Sequence, residues 1–534
     1  MPGSISRASP AGPNTDVAAG YAVAIVGCGP VGALAANLLG AAGLRTIVIE
    51  QERELHPLPR AVHVDHEMMR LFQAAGVADE VARDMRETEG HLHIGADGGV
   101  IRYLGTTGRP RPFGWANDYF FFQPELEAHL RTGFARHASV ELCLGARVES
   151  VSQDADGVSV SLSGAHERIS ARWLLGCDGS RSMVRKSLGI PLRDLEFEEP
   201  WLVVDAEVDG PLKFAALSGV PPHADLQKLS VMMCDPKRPA TVVPGRGNHR
   251  RWEFMLVPGD VEQEMTRPER VAELIAPWVE GVGHRVVRAA IYRFHGLLAE
   301  RWQEGRVFLA GDAAHQTPPF FGQGMCHGLR DVANLSWKIA LVESGRAPPD
   351  LLSTYQQERE PHVRRVITAA VEAGRYICVL DPQAAAARDA RIRSQPPAQS
   401  TAADLIPALS AGIVAIDTPG AGERFIQPRL RTPTGTRLLD EVTGSSWRLF
   451  VRDSAAAIRH RQDVATWVPY LAVDVVDVSE LVDEGHLATW FATRSVQAAL
   501  VRPDFYVFGT ARGEGAVADL LRRLHASLSP GGVP

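Results

Sequence analysis

The sequence is poor in cysteine, in net charge and in long apolar runs. Its six cysteines, Cys28, Cys143, Cys177, Cys234, Cys326 and Cys378, are scattered over 534 residues without a C-x-x-C pair or a His/Cys ligand spacing. That pattern excludes a disulfide framework and a zinc site, so no metal is expected, and it suits a reducing cytoplasm. No cysteine follows Cys378, which excludes thiol redox chemistry from the C-terminal part. The net charge of −7 is mild for this length and gives no footing for nucleic acid or an anionic membrane. Residues Met1 to Val17 are rich in Pro, Ser, Gly and Ala and lack the apolar segment of a signal peptide or a membrane span; they read as a frayed leader. Neither an internal repeat nor a coiled-coil heptad is present.

What remains is an ordinary globular composition, 45% apolar and 22% charged, in a chain too long for one core. Three strand-to-glycine motifs stand out. The first is an apolar strand entering Gly27-x-Gly29-x-x-Gly32, followed by an alanine-rich helix, then a strand Thr46 to Ile49 that ends at Glu50. This is the dinucleotide fingerprint in its required context. Gly27 makes the tight turn, Gly29 admits the pyrophosphate, Gly32 lets the helix pack, and the acid about twenty residues on binds ribose hydroxyls. The second is a strand from Trp173 ending in Asp178-Gly179, and the third is Val307 to Ala310 ending in Gly311-Asp312 and followed by Pro318, Pro319 and the turn Gly322-Gln323-Gly324. Asp312 at a loop edge can accept from a ribityl hydroxyl, and a helix starting at the glycine turn would aim free N–H groups at a ligand.

Together with Ser182 and Arg185 after Asp178-Gly179, and His315 after Gly311-Asp312, these motifs resemble the ordered trio of the single-component (group A) flavoprotein aromatic hydroxylases. Within that group the chain is similar to 3-(3-hydroxyphenyl)propionate hydroxylase and its phenol-hydroxylating relatives, from about Tyr21 to about Tyr376. The resemblance implies bound FAD, with NADPH or NADH as a transient reductant that has no second complete fingerprint of its own. The reaction it implies is hydroxylation of a phenolic ring through a flavin 4a-hydroperoxide, whose electrophilic oxygen needs an electron-rich ring and a dry site. The implied partners are a small aromatic substrate and O2, and a homodimer is admitted. The implied flavin contacts are Gly27, Gly29, Pro30, Val31, Gly32, Glu50, Gln51, Arg60, Gln123, Val148, Asp178, Gly179, Gly311, Asp312, Pro318, Gly322, Gln323, Gly324 and Met325. Pro319, Phe320 and Phe321 are the candidate substrate wall, with ordinary core as the competing reading. Candidates for a base near the phenol are His63, Tyr119 and His315, each weighed against a packing role. Many members of the group carry Asn at the place of Cys326, so main-chain N–H groups of Met325 and Cys326 are expected to take over that contact.

The implied fold is α/β. A Rossmann-like FAD-binding domain with a parallel sheet spans 18–90, 120–194 and 293–385, and an antiparallel-sheet substrate domain spans 91–119 and 195–292. A thioredoxin-like C-terminal domain without redox cysteines spans 428–534, after a connector from Pro382 to about Gln427 with few periodic elements. Arg238, Arg246, Arg250 and Arg251 lie in the substrate roof, where a carboxylated phenol would want a fixed cation. The competing reaction is flavin-dependent oxygenation, including Baeyer–Villiger insertion, of a polyketide-type product. A non-redox dinucleotide-fold binding protein would account for the first motif alone and leaves Asp178-Gly179 and Gly311-Asp312 unexplained.

Overall fold

The computed structural model describes residues 20–163, 168–395, 406–513 and 515–529; the leader call on Met1 to Val17 lies outside them. Strand Tyr21–Val26 is flanked on both sides by parallel partners, Thr46–Glu50 and Arg168–Gly176, and Val307–Leu309 pairs parallel beyond the latter. Val23, Ala24 and Ile25 are fully buried, as expected of a strand covered on both faces. Val26 pairs with both Ile49 and Gly176, and Gly176 pairs with Leu309. All three motifs therefore leave the sheet at its carboxyl edge, where a doubly wound sheet opens its crevice.

A second sheet of eight strands runs in the order His315–Gln316, His284–Ala299, Leu192–Val208, His249–Met255, Ala240–Val243, Ser230–Met233, Gly90–Ile94, Val100–Gly105. Its pairs are antiparallel except for Ser230–Met233 beside Gly90–Ile94. Alternation divides its side chains. Leu92, Val204, Val231, Trp252 and Phe254 pack outward with Val271 and Ile275 of helix Pro268–Val279, whereas Trp201, Met232 and Met255 join the core of the nucleotide sheet. Strands Leu192–Val208 and His249–Met255, which fall in the span 195–292 expected for the substrate domain, are neighbours in this sheet, the first beginning just before that span. A small antiparallel sheet of His63–Asp65, Asp118–Phe120 and Arg86–Glu87 bridges the two.

The C-terminal sheet orders Val473–Asp477, Trp447–Val451, Ala498–Val501 and Val507–Ala511, with helix Ala516–Ser527 packed on it. The last strand starts at Val507 rather than directly after Val501, because Phe505 has φ 68° and its N–H closes a turn on the Arg502 carbonyl at 3.0 Å. The connector reading needs correction: Pro382–Arg393 is a helix, with proline in its first turn and Asp381 capping Ala384 N–H at 2.7 Å. Arg502 ties the C-terminal domain to the long helix Thr354–Ile377, reaching Glu358 and Asp504 at 2.6 Å each in a fully buried cluster.

Candidate active site

Short-range sterics explain the first motif. Gly27 has φ 98°, and a Cβ there would lie 2.4 Å from the Cys177 carbonyl oxygen; one on Gly32 would lie 2.0 Å from the Gly27 oxygen. A Cβ on Gly29 would meet nothing within 4 Å, so this glycine faces open space. Helix Pro30–Ala41 begins there with no side-chain cap, leaving the N–H groups of Val31 and Gly32 unclaimed by the helix. Glu50 accepts from Cys28 N–H at 2.7 Å and from Glu52 N–H at 3.0 Å, which fixes the carboxylate at the strand end beside the exposed Gln51.

The other two motifs close on the first. Asp178 accepts from Ser182 Oγ at 2.5 Å and Val184 N–H at 3.0 Å, and Arg185 donates to the Ala313 carbonyl at 3.1 Å, clipping the second motif to the third. Gly179 has φ 76°. Val31 wedges against the third motif, because Cβ atoms on Gly311 and Gly328 would approach its side chain to 3.1 and 2.5 Å. Asp312 is exposed at the sheet edge; desolvation raises its carboxyl pKa, opposed by the charges of His315 and Arg60. Pro318 leads into the turn Pro319–Phe321, Gly322 follows at φ 64°, and helix Gly324–Glu343 starts without a side-chain cap, so the N–H groups of Gly324 and Met325 are also unclaimed. Two uncapped helix starts, an open glycine and an accessible carboxylate at one sheet edge fit an adenine dinucleotide.

Two of the expected contacts, Gln123 and Val148, have their side chains engaged elsewhere. Gln123 Oε1 accepts from Arg60 and Ala61 N–H at 2.9 and 2.8 Å while its Nε2 donates to Glu127 at 2.7 Å, so its amide positions the Arg60 segment. Arg60 leaves its own side chain exposed near Asp312. Val148 is buried in the core at the start of strand Val148–Gln153. Cys326 turns its thiol to the Gly322 carbonyl at 3.7 Å, leaving only its backbone for a ligand.

The base candidates separate. His63 is buried, with Nε2 2.9 Å from Asp118 Oδ1, and a Cβ on Gly322 would sit 2.6 Å from its Nδ1. Burial alone would lower its pKa; the hydrogen bond and charge of Asp118 outweigh it, and the net shift is upward. Tyr119 is a correction. It pairs with Val64, one residue out of step with His63 and Asp118, so it faces the other side of the small sheet, and its hydroxyl accepts from Ala116 N–H at 2.8 Å. Tyr119→Phe should leave turnover within about twofold and cost about 1 kcal/mol of stability, read by product formation and thermal melting. His315 has Nε2 2.6 Å from the fully buried Asp331 and its ring 5.1 Å from Trp302, while its Nδ1 is buried without a partner among the described residues. Phe320 packs edge-on to Phe197, Trp201 and Phe294, and Phe321 is buried, so the ordinary-core reading describes both; Pro319 remains half exposed.

Sequence reading missed Asp118 as the partner of His63, and His91 and His93 on the strand facing it. The His-x-His alternation in an otherwise apolar buried strand was the available signal.

Comparison with known proteins agrees with this geometry. The model of the FAD binding domain family matches residues 20–370, and that of the HcaD C-terminal domain matches 422–527. The chain is 35% identical over 523 residues to a probable NADH-specific resorcinol 4-hydroxylase of Rhodococcus jostii, covering 95% of each chain. It is 35% identical over 524 residues to a 3-(3-hydroxy-phenyl)propionate/3-hydroxycinnamic acid hydroxylase of Burkholderia vietnamiensis, covering 91% of this chain and 92% of the relative. Among solved structures, aklavinone-11 hydroxylase with FAD and aklavinone superimposes with a TM-score of 0.77 at 24% identity, over 95% of this chain and 98% of the other, which establishes a shared fold.

Proposed function

The chain belongs to the FAD binding domain family, and on that premise we propose which of its residues carry out the reaction of an aromatic hydroxylase. The protein is an FAD-dependent monooxygenase that uses NADH or NADPH and O2 to hydroxylate a phenolic ring. FAD supplies the redox chemistry: with it reduced by the nicotinamide cofactor, one oxygen atom of O2 enters the ring and the other leaves as water, with oxidised nicotinamide as the remaining product.

The protein's part is to hold, shield and deprotonate. Unclaimed N–H groups at Val31 and Gly32 receive the pyrophosphate, Glu50 a ribose, and Asp312 a ribityl hydroxyl. Asp118 accepts from His63 Nε2–H, while Nδ1 lies 3.5 Å from the Gly322 carbonyl, a long contact that Nδ1 gives up when it takes the phenol proton. The resulting phenolate is richer in electrons at the ring positions that receive oxygen. Trp201, Phe294 and Phe320 exclude water on the sheet side. The observation that carries this reading is the meeting of all three motifs at one sheet edge with His63 against the Gly322 turn. A reducing compartment is supported by the six free cysteines, and among the described residues no helix is long and apolar enough to cross a membrane.

The test is turnover of the purified yellow protein with NADH and NADPH against a panel of phenols, scoring nicotinamide consumed, peroxide released and product mass. Substrate-accelerated nicotinamide oxidation with a product 16 mass units heavier, on the order of one oxygen atom per cofactor oxidised, is the expected result. Peroxide alone across the panel would overturn it.

A further inference from the structure

The substrate class of this site can be read from the sheet face that looks into it, an inference that rests on the hydroxylase reading above. His93 pairs with Met232, Met232 with Thr241, and Thr241 with Glu253, so these side chains form one row across the inner face. At about 4.8 Å per strand, the row places Glu253 roughly 14 Å from His93. His91 lies one step along the same face, its ring 5.8 Å from that of His63.

The arginines of this sheet are engaged, whereas Arg60, exposed near Asp312, lies at the flavin edge. Arg251 and Arg288 reach Asp205 at 2.8 and 3.0 Å, and Arg102 lies over the Tyr376 ring. Of the other roof arginines, Arg238 pairs with Asp260, Arg246 with Glu125, and Arg250 donates to three main-chain carbonyls. Glu253, in contrast, is half-buried with no hydrogen-bond or ion-pair partner among the described residues; burial pushes its carboxyl pKa up, opposed by the charges of Arg251 and Arg288. A substrate carboxylate would find no uncommitted cation on this face and one unpaired acid.

The polar groups that are available are imidazoles. Both nitrogens of His91 and Nε2 of His93 are buried without a partner; His93 Nδ1 is taken by the Tyr376 hydroxyl at 2.5 Å. His91 and His93 are 5% and 1% exposed, and burial holds both neutral, His91 down to about 4 and His93 well below the usual range. A neutral imidazole offers one donor and one acceptor, the complement of a hydroxyl. With His63 beside them, such groups can serve more than one ring hydroxyl, and a ring with a single hydroxyl leaves part of the set unsatisfied.

We propose that the substrate is a neutral aromatic ring bearing at least two hydroxyls, read by His63, His91 and His93, and that Glu253 together with the engaged arginines selects against carboxylated phenols. The experiment measures product-forming kcat/KM of the FAD-loaded enzyme for resorcinol, phenol and 3-(3-hydroxyphenyl)propionate. Resorcinol is expected to exceed both others by at least about 100-fold. His91→Phe should cut the resorcinol-to-phenol ratio below about tenfold at unchanged FAD content, and Glu253→Gln should raise kcat/KM for the propionate by about tenfold or more. Hydroxylation of the propionate as efficiently as resorcinol, or ratios unmoved in both variants, would overturn the proposal and leave the hydroxylase reading standing. Peroxide without any hydroxylated product would instead remove the hydroxylase reading and this inference with it.

Discussion

Gly29→Val should yield a folded protein that purifies without its yellow colour. Gly29 has φ −71° and ψ −175°, a conformation open to valine, and a Cβ there would touch no protein atom within 4 Å. The chain without flavin should therefore melt as before, or slightly higher, since valine restricts the unfolded chain more than glycine does. The same Cβ fills the space through which a pyrophosphate would approach Val31 and Gly32. Losing one or two charge-assisted hydrogen bonds at about 1.5–3 kcal/mol each corresponds to roughly 10- to 10⁴-fold weaker FAD binding. Gly32→Val is the contrast, because its Cβ would lie 2.0 Å from a backbone oxygen and must disturb the fold as well as the site. Flavin titration by fluorescence quenching, alongside melting of both variants stripped of flavin, separates the two. A Gly29→Val protein that retained FAD with full affinity would show that the pyrophosphate lies elsewhere.

The second large effect concerns His63 and Asp118. His63→Phe should lower product formation by about 10²–10³-fold, the range of a lost general base, while flavin reduction by the nicotinamide cofactor changes little. The pH dependence gives the more discriminating readout. In the wild type the Asp118 interaction outweighs burial and the His63 pKa is raised above its ordinary value of about 6.5. The neutral, proton-accepting form is present above that raised pKa and lost as pH falls through it, so the acid limb of kcat/KM should lie above about pH 6.5. In Asp118→Asn the carboxylate is gone while burial, Asp65 and the Gly322 carbonyl remain, which lowers the His63 pKa from its wild-type value. The acid limb should then move to lower pH even as the maximal rate falls, because the imidazole is a weaker base and its tautomer is no longer fixed. An acid limb that stayed in place would take the proton-accepting role away from His63.

The flavin edge and the catalytic pair were not equally legible in the sequence. The glycine motifs could be read directly, because a strand, a tight turn and a helix start impose their requirements within about ten residues. Gly27 and Gly32 are glycines for reasons that lie within the motif and its neighbouring strand end, at Gly27 and Cys177. Asp381-Pro382 was an equally local helix start and was passed over among the prolines and alanines of the connector.

The catalytic side did not yield in the same way. His63 and Asp118 are 55 residues apart and meet only through the register of a small antiparallel sheet. A step of one residue in that register decides that Asp118 faces His63 and Tyr119 faces away, and nothing in the local sequence of either strand fixes the step. His315 lies within its motif and Gln123 at a helix start, yet Asp331 takes His315 Nε2, and the Arg60–Ala61 backbone and Glu127 take the Gln123 amide. The sequence by itself determined that the chain carries a dinucleotide fold with a flavin edge, since those requirements are backbone sterics and helix-end hydrogen bonding over short spans. Which histidine faces the ring, which arginines are engaged and which carboxylate stands unpaired were decided only by the tertiary structure, because sheet register and long-range pairing set the partners of buried polar groups.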